Sequence, residues 1–579
     1  MKLETFLPAL LWLKRYDRGN LPADLMAGLI VAVMLVPQGM AYALLAGLPP
    51  VIGLYASTVP LLIYALFGSS RQLAVGPVAI VSLLTLSGVS LLAEPGSAEF
   101  IALAALLALM VGVIQFALGL MRAGFITNFL SHAVISGFTS AAALIIGLSQ
   151  LKHLLGIKLG RSENVFATLW EAGQNIGETN LITLAIGALS IATLLLFKRY
   201  AKRFPAPLLV VVVSALAVYL LGLNDYGVGI VGEVPRGLPG FALPALGLGS
   251  LRALLPIALT ISFVSFMESI AVAKSIASKE KYKVDANREL VGLGLANIVG
   301  SLFRAYPVTG GFSRTAVNYQ AGAKTPLASI ITALLVILTL LFLTPLFYYL
   351  PNAVLAAIVM VAVFGLIDLK EPVHLFKLKP VDGWTLLLTF VGTLLLGVET
   401  GILVGVGFSL LVFIWRSAYP HTAELGYLLD EDVFRNVSRY PEAQTYAGVC
   451  ILRVDAALYF ANMAYLENLL DDTVADRPDL AHIILDFSAV NGVDAVALDT
   501  LEERMRELAG RNVTIHIAGM KGPVRDLAAK AGWYETFGEE VAHLSVEGAL
   551  EAVRATPSEQ TVTQTSTRKQ LSGKLIEEA

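Results

Sequence analysis

The sequence predicts a polytopic α-helical membrane protein of about fourteen segments in a seven-plus-seven inverted repeat, followed by a small α/β domain. Composition is the first reason. Of 579 residues 56% are hydrophobic and only 15% charged, with a mean hydropathy of +0.72, where a soluble chain carries roughly a quarter charged residues. Segregation is the second: apolar stretches dominate from about Ala23 to Trp415, and the rest reads as soluble sequence. The third is a pair of glycine-led breaks, VGPVA at Val75–Ala79 and TGGFSRT at Thr309–Thr315, in corresponding places of the two halves.

The chain opens with a segment, 1–22, whose short apolar patch ends in Lys14, Arg15 and Arg18 without a small-residue cleavage site. It reads as an interfacial amphipathic helix rather than a signal peptide. The membrane domain is expected over 23–418. Spans of about twenty apolar residues fall near 24–46, 50–67, 73–90, 99–121, 126–149, 180–197 and 206–223. The second half repeats the count near 253–277, 288–303, 311–325, 327–346, 351–367, 384–398 and 400–416. The third, tenth, thirteenth and fourteenth are too short to cross alone.

Lys and Arg set the orientation. Even-numbered connections carry Arg71, Arg122, Lys198–Arg199–Lys202–Arg203, Lys279–Lys281–Lys283, Lys324 and Lys370–Lys377–Lys379. Odd-numbered ones are poorer in basic residues, with Lys152, Lys158 and Arg161 as exceptions. Both termini are therefore expected in the cytoplasm, in a multi-pass cell (inner) membrane protein. An odd number of spans per half inverts the second half relative to the first, and the third segment of each half then carries the break.

A soluble module is expected over 419–556 and a disordered tail over 557–579. The stretch from Ser417 to Ala443 reads as a polar connector with a short strand at Asp432–Val437. Strand-like GVCILRV, AHIILDFSAV and NVTIHIAGM then alternate with helix-like MAYLENLLDDTVA, AVALDTLEERMRELAGR and GPVRDLAAKAG, which predicts a mostly parallel sheet. The single cysteine, Cys450, excludes an intramolecular disulfide framework. A net charge of −3 gives no sign of a nucleic-acid partner.

Breaks at membrane depth free backbone groups that only protein or a water-filled cavity can satisfy. Paired breaks point to a secondary transporter's substrate site, and two helix N-termini facing each other suit an anion. Gly76, Pro77, Gly310 and Gly311 make the breaks. Val78 and Ala79 offer N–H groups, with Pro77 expected in the first helical turn. Ser313 is expected as the cap of the second half-helix and as a hydroxyl donor, with Arg314 and Thr315 beside it. The competing reading makes these glycines mere packing contacts. Arg314 lines the cavity or else snorkels to the interface. Gln38 and Tyr42, four apart, share a face of the first helix after Pro37, where a kink is expected. Glu268, inside SFVSFMESIAVAK, is an intramembrane acid and so either a coupling group or a buried structural carboxyl.

The run LVPQGMAYALLAGLPPVIGLYAS (Leu35–Ser57) resembles the signature of the sulfate permease (SulP) family of anion transporters, and the C-terminal module resembles a STAS domain. The resemblance implies a core domain moving against a gate domain, a homodimer, and an anion held between the third and tenth helices. It implies that Gln38 and Tyr42 face the substrate, and Arg314 matches a basic residue common in the family. Sodium-coupled bicarbonate relatives favour Asp with a hydroxyl residue one turn on, where this chain has Glu268 and Val272. That favours a proton over sodium, with Ser265 and Ser269 keeping sodium in view. Anti-sigma-factor antagonists carry a phosphorylatable serine where this chain has Ala495, after Asp494. Asp486, Ser488 and Asp494 form a candidate rim for a regulatory protein that binds the STAS domain. The implied function is secondary transport of a small anion, sulfate first, by an elevator-like shift of the core. Bicarbonate or dicarboxylate transport, uncoupled exchange or channel activity, and a sensor role are the alternatives. No nucleotide-binding loop, metal-ligand cluster or nucleophile–base pair suggests an enzyme or a cofactor.

Overall fold

A computed structural model describes residues 9–14, 16–125, 131–157, 165–200 and 206–555; the tail expected to be disordered lies outside them. The chain divides into two compact units, 1–409 and 410–579.

Each of the fourteen expected segments contains a helix. The first half supplies α1 (Leu21–Leu45), α2 (Pro50–Phe67, with a turn at 56–58), α3 (Ala79–Ser90), α4 (Ala98–Leu120), α5 (His132–Ser149), α6 (Leu181–Tyr200) and α7 (Ala206–Leu221). The second supplies α8 (Leu248–Lys279), α9 (Ala286–Ser301), α10 (Phe312–Gln320), α11 (Leu327–Leu338, followed by a π turn), α12 (Asn352–Phe364), α13 (Pro380–Leu396) and α14 (Val398–Ala418). Two short helices, Val165–Gln174 and Lys370–Leu378, join them. Each has one apolar and one polar side, so neither registers as a span in the sequence. Outward-facing Leu189, Val213, Leu334 and Leu403 leave the helices an apolar exterior that suits hydrocarbon.

Packing displays the repeat. When each helix is exchanged for the one seven places along, contacts map onto contacts. α1 packs on α11 as α8 packs on α4; α9 on α4 as α2 on α11; α5 on α13 as α12 on α6; α1 on α10 as α8 on α3. α2 packs on α9, its own counterpart. Glycine permits close approaches here: a Cβ on Gly112 of α4, or on Gly294 of α9, would stand 2.6 Å from a backbone nitrogen of the other helix.

Two fully buried carboxylates fix the turns beside the short helices α3 and α10. Glu289 accepts hydrogen bonds from the Tyr64 hydroxyl (2.6 Å), the Ser69 hydroxyl (2.7 Å) and the Ser69 and Ser70 N–H groups (2.8 and 3.0 Å), holding the α2–α3 connection. Asp24 accepts from the Lys324 and Thr325 N–H groups (2.8 and 3.0 Å) and the Thr325 hydroxyl (2.7 Å), holding the α10–α11 connection. So many donors to one carboxyl offset part of what its burial costs.

The second unit is a five-stranded sheet. The membrane domain holds two short strands, β1 (Val75–Gly76) and β2 (Thr309–Gly310); those of the second unit are β3 (Thr422–Leu428), β4 (Val433–Asn436), β5 (Val449–Val454), β6 (His482–Asp486) and β7 (Thr514–Ala518), in the order β4-β3-β5-β6-β7. The sheet is mixed rather than mostly parallel. The stretch read as a polar connector contributes β3 and β4, which form an antiparallel hairpin, and β3 pairs antiparallel with β5. β5, β6 and β7 are parallel. α15 (Met463–Asp476), α16 (Ala495–Gly510) and α17 (Gly522–Lys530) contribute to the core on one face, which includes Leu466, Leu501 and Trp533; α18 (Val546–Ala555) covers Ile484 and Ala518 on the other. Asp494 caps α16, accepting from Ala497 N–H at 2.7 Å.

Three imidazoles form a chain on the α18 side. His482 Nδ1 lies 3.2 Å from His516 Nε2, and His516 Nδ1 lies 3.3 Å from His543 Nε2. A neutral imidazole has one donor and one acceptor, so a single direction of donation satisfies all four facing nitrogens. Burial lowers the pKa of each ring, and the two neighbours help push His516 down to about 4.

Candidate functional site

The two breaks are bound to each other. β1 and β2 pair antiparallel, Val75 opposite Gly310 and Gly76 opposite Thr309. A helix follows each strand, so α3 and α10 leave this ladder in opposite directions with both N-termini at it. Neither start has a side-chain cap: Val78 (φ −136°, ψ 145°) caps α3 and Gly311 (φ −84°, ψ 128°) caps α10. The first N–H groups of both helices therefore lack intrahelical partners.

These caps correct two expectations. Pro77 precedes the cap and lies outside the first turn of α3, and its carbonyl faces the other half. Ser313 is the second residue of α10 rather than its cap, and it is exposed, as is Phe312. Glycine takes the capping place because α10 must begin against the Arg314 side chain. A Cβ on Gly311 would lie 2.9 Å from Arg314 Nη2, and one on Gly76 would lie 3.3 Å from the same atom.

Arg314 is 1% exposed. Its Nη1 donates to the Pro77 carbonyl, while Nε and Nη2 are buried without a hydrogen-bond partner among the described residues. Tyr42, Glu268 and Tyr306 lie within electrostatic reach of the guanidinium. Gln38 donates from Nε2 to the Tyr42 hydroxyl at 3.1 Å, and Gln38 Oε1 has no partner among the described residues. α1 runs unbroken through Pro37. Glu268 Oε2 is buried and, among the described residues, also without a partner. Thus Gln38, Tyr42, Glu268 and Arg314 come together at the ladder, beside the starts of α3 at Val78 and Ala79.

Thr315 stands apart. Its hydroxyl oxygen accepts from Ala74 N–H at 3.1 Å, and the Gly311 N–H donates to the Ala74 carbonyl at 3.1 Å. Ser265 and Ser269 are also engaged in holding the break. The Thr309 hydroxyl is 2.6 Å from the Ser265 carbonyl and 2.7 Å from Ser269 Oγ, which also accepts from Gly310 N–H at 2.9 Å.

Sequence reasoning missed the residues behind this frame. Asn297 pairs with Val308 as a strand would, accepting from its N–H (2.8 Å) and donating to its carbonyl (3.1 Å). It also donates to Gln115 Oε1 (3.2 Å), while Gln115 Nε2 donates to Ser265 Oγ (2.7 Å). A signal existed: each is an amide set in an apolar stretch of helix, and such residues generally face the bundle interior.

Two helix N-termini and a guanidinium with free donors make a positive site suited to an oxyanion, with a carboxyl placed to compete for the same charge. Among the described residues no group of three or more His, Cys, Asp or Glu side chains is arranged to hold a metal ion.

Comparison with known proteins matches residues 21–389 to the model of the sulfate permease family and residues 440–549 to the STAS domain. "Sulfate transporter 4.1, chloroplastic" of Arabidopsis thaliana is 41% identical over 570 residues, covering 95% of this chain and 82% of that protein. "High affinity sulfate transporter 2" of Stylosanthes hamata is 36% identical over 95% of this chain and 86% of its own length. The murine Slc26a9 anion transporter, solved in the inward-facing state, superposes with a TM-score of 0.89 at 30% identity, covering 96% of this chain and 95% of that one.

Proposed function

The chain belongs to the sulfate permease family, and from that premise we propose that it is a secondary transporter of a small oxyanion, sulfate first, coupled to protons. The observation that carries the reading is Arg314: a buried guanidinium with two unpartnered nitrogens at the meeting point of two helix N-termini. The anion binds the free donors of Arg314 and the first N–H groups of α3 and α10, with Ser313, Gln38 and Tyr42 around it.

Glu268 supplies the coupling. Ionised, it competes with the anion for the Arg314 charge; protonated, it leaves that charge to the anion. A proton and an anion then enter together. The hydrogen-bonded ladder keeps both half-helices in one body, which supports an elevator-like shift of α1–α4 with α8–α11 against the remaining helices. The protein acts as a homodimer in the cell membrane with both termini cytoplasmic, and the STAS domain serves dimerisation and regulation.

Labelled sulfate uptake into sodium-free proteoliposomes tests this. Accumulation driven by an inward proton gradient supports the reading; uptake that never exceeds equilibration favours an uncoupled exchanger or channel.

A further inference from the structure

The fourth residue of each short helix is a hydroxyl residue: Ser82 in α3 and Thr315 in α10. Each reaches across to the chain that leads into the other short helix. Thr315 accepts from Ala74, just before β1. Ser82 Oγ lies 2.9 Å from the hydroxyl of Tyr306, three residues before β2. Ser82 and Thr315 hold matching places in the two halves, while their partners differ: a backbone N–H for Thr315 and a tyrosine hydroxyl for Ser82.

They carry different loads. Extended chain before α3 is tied to the second half many times, through Gln72, Ala74, Pro77 and the β ladder. The helix α3 itself packs against α8, but its one hydrogen bond to that half, among the described residues, is Ser82–Tyr306. Tyr306 is fully buried, its backbone is followed by the Val308 peptide that Asn297 grips on both sides, and it lies within electrostatic reach of Arg314 and Tyr42. We propose that Tyr306 and Ser82 are positioning residues for the anion site, setting the N-terminal turn of α3 against the Arg314 guanidinium. Neither touches the anion. Donor geometry held by a second layer of bonds is sensitive to shifts of well under 1 Å or so.

The inference rests on the anion-site reading, and its test separates the two. Thermal stabilisation of the full chain by sulfate, selenate, bicarbonate and chloride is titrated for wild type, Tyr306→Phe, Ser82→Ala and the double variant. Tyr306→Phe keeps the ring in place, and Ser82 then turns to the Val78 carbonyl one helical turn back, so neither side is left unsatisfied. The half-saturating concentration of the stabilising anion is expected to rise roughly three- to tenfold in each single variant, the worth of one hydrogen bond. The double variant shows no further rise, because both changes remove the same bond. Melting temperatures without anion stay within about 2 °C of wild type. Wild-type half-saturation in either single variant, or additive effects in the double, overturns the inference while leaving the anion site intact. No stabilisation of the wild type by any of the four anions overturns the functional reading and the inference with it.

Discussion

Arg314, on the second half-helix, donates to the backbone carbonyl of Pro77, in the break before the first. One guanidinium thus holds the two halves of the repeat together with one nitrogen and keeps two others free at the same point. Removing it acts on both roles, and the substitution chosen separates them.

Arg314→Lys keeps a charge but loses the planar fork. A hydrogen bond to a charged group is worth about 1.5–3 kcal/mol, so KM for uptake should rise about 10- to 100-fold while the protein still reaches the membrane. An unchanged KM would place the anion elsewhere.

Glu268→Gln removes the competitor without altering shape. Proton-gradient stimulation of uptake should disappear, while anion exchange at equal pH on both sides persists. Stimulation that survives the change excludes this carboxyl as the coupling group.

Gly311→Ala tests the close approach. A methyl 2.9 Å from Arg314 Nη2 displaces the flexible end of the side chain rather than the backbone, so folding should hold while affinity drops by about tenfold or more. Gly76→Leu should be more severe, since its side chain meets both Arg314 and Leu35. Retained affinity in both would show that the guanidinium has room to move.

The imidazole chain makes the STAS domain acid-sensitive. An unfolded histidine takes up its proton near pH 6.5, whereas folded His516 resists until about 4. The unfolded state therefore binds more protons between those values, so stability falls as pH drops from 6.5 toward 4 and is flat above about 7. Hydrogen-exchange protection of β6 and β7, corrected for intrinsic rates, should decline over that window and be less pH-dependent in His516→Gln.

Truncation after Tyr419 removes the whole sheet unit but none of Gln38, Glu268 or Arg314. Flux or expression should fall while the rank order of anions stays the same. A reordered ranking in competition assays would show that the second unit shapes the site.

The helices and breaks were legible because they depend on local properties: apolar length, and glycine or proline where a helix cannot continue. The capping of α10 was not. Ser313 has the chemistry of a cap, but steric demand from Arg314 gives that place to Gly311. Thr315 reads as a substrate contact from its position, yet its hydroxyl bonds to Ala74, 241 residues away in the chain. Tyr306 and Ser82 are 224 residues apart, and neither signals the other. β3 was hidden for a different reason. Its Thr422–Leu428 run mixes polar and apolar residues, and only pairing on both sides makes it an inner strand.

The mutual exchange of α1–α7 with α8–α14 bears on the direction of flow. On the proposed reading, an anion resting where α3 and α10 begin lies near the axis that relates the halves, with a helix N-terminus facing it from each. A carrier driven by gradients alone has no thermodynamic preference for import over export, and opposed halves give it a route in either direction. Net movement is left to the gradients on the two sides, and reversing them turns the same molecule from an entrance into an exit.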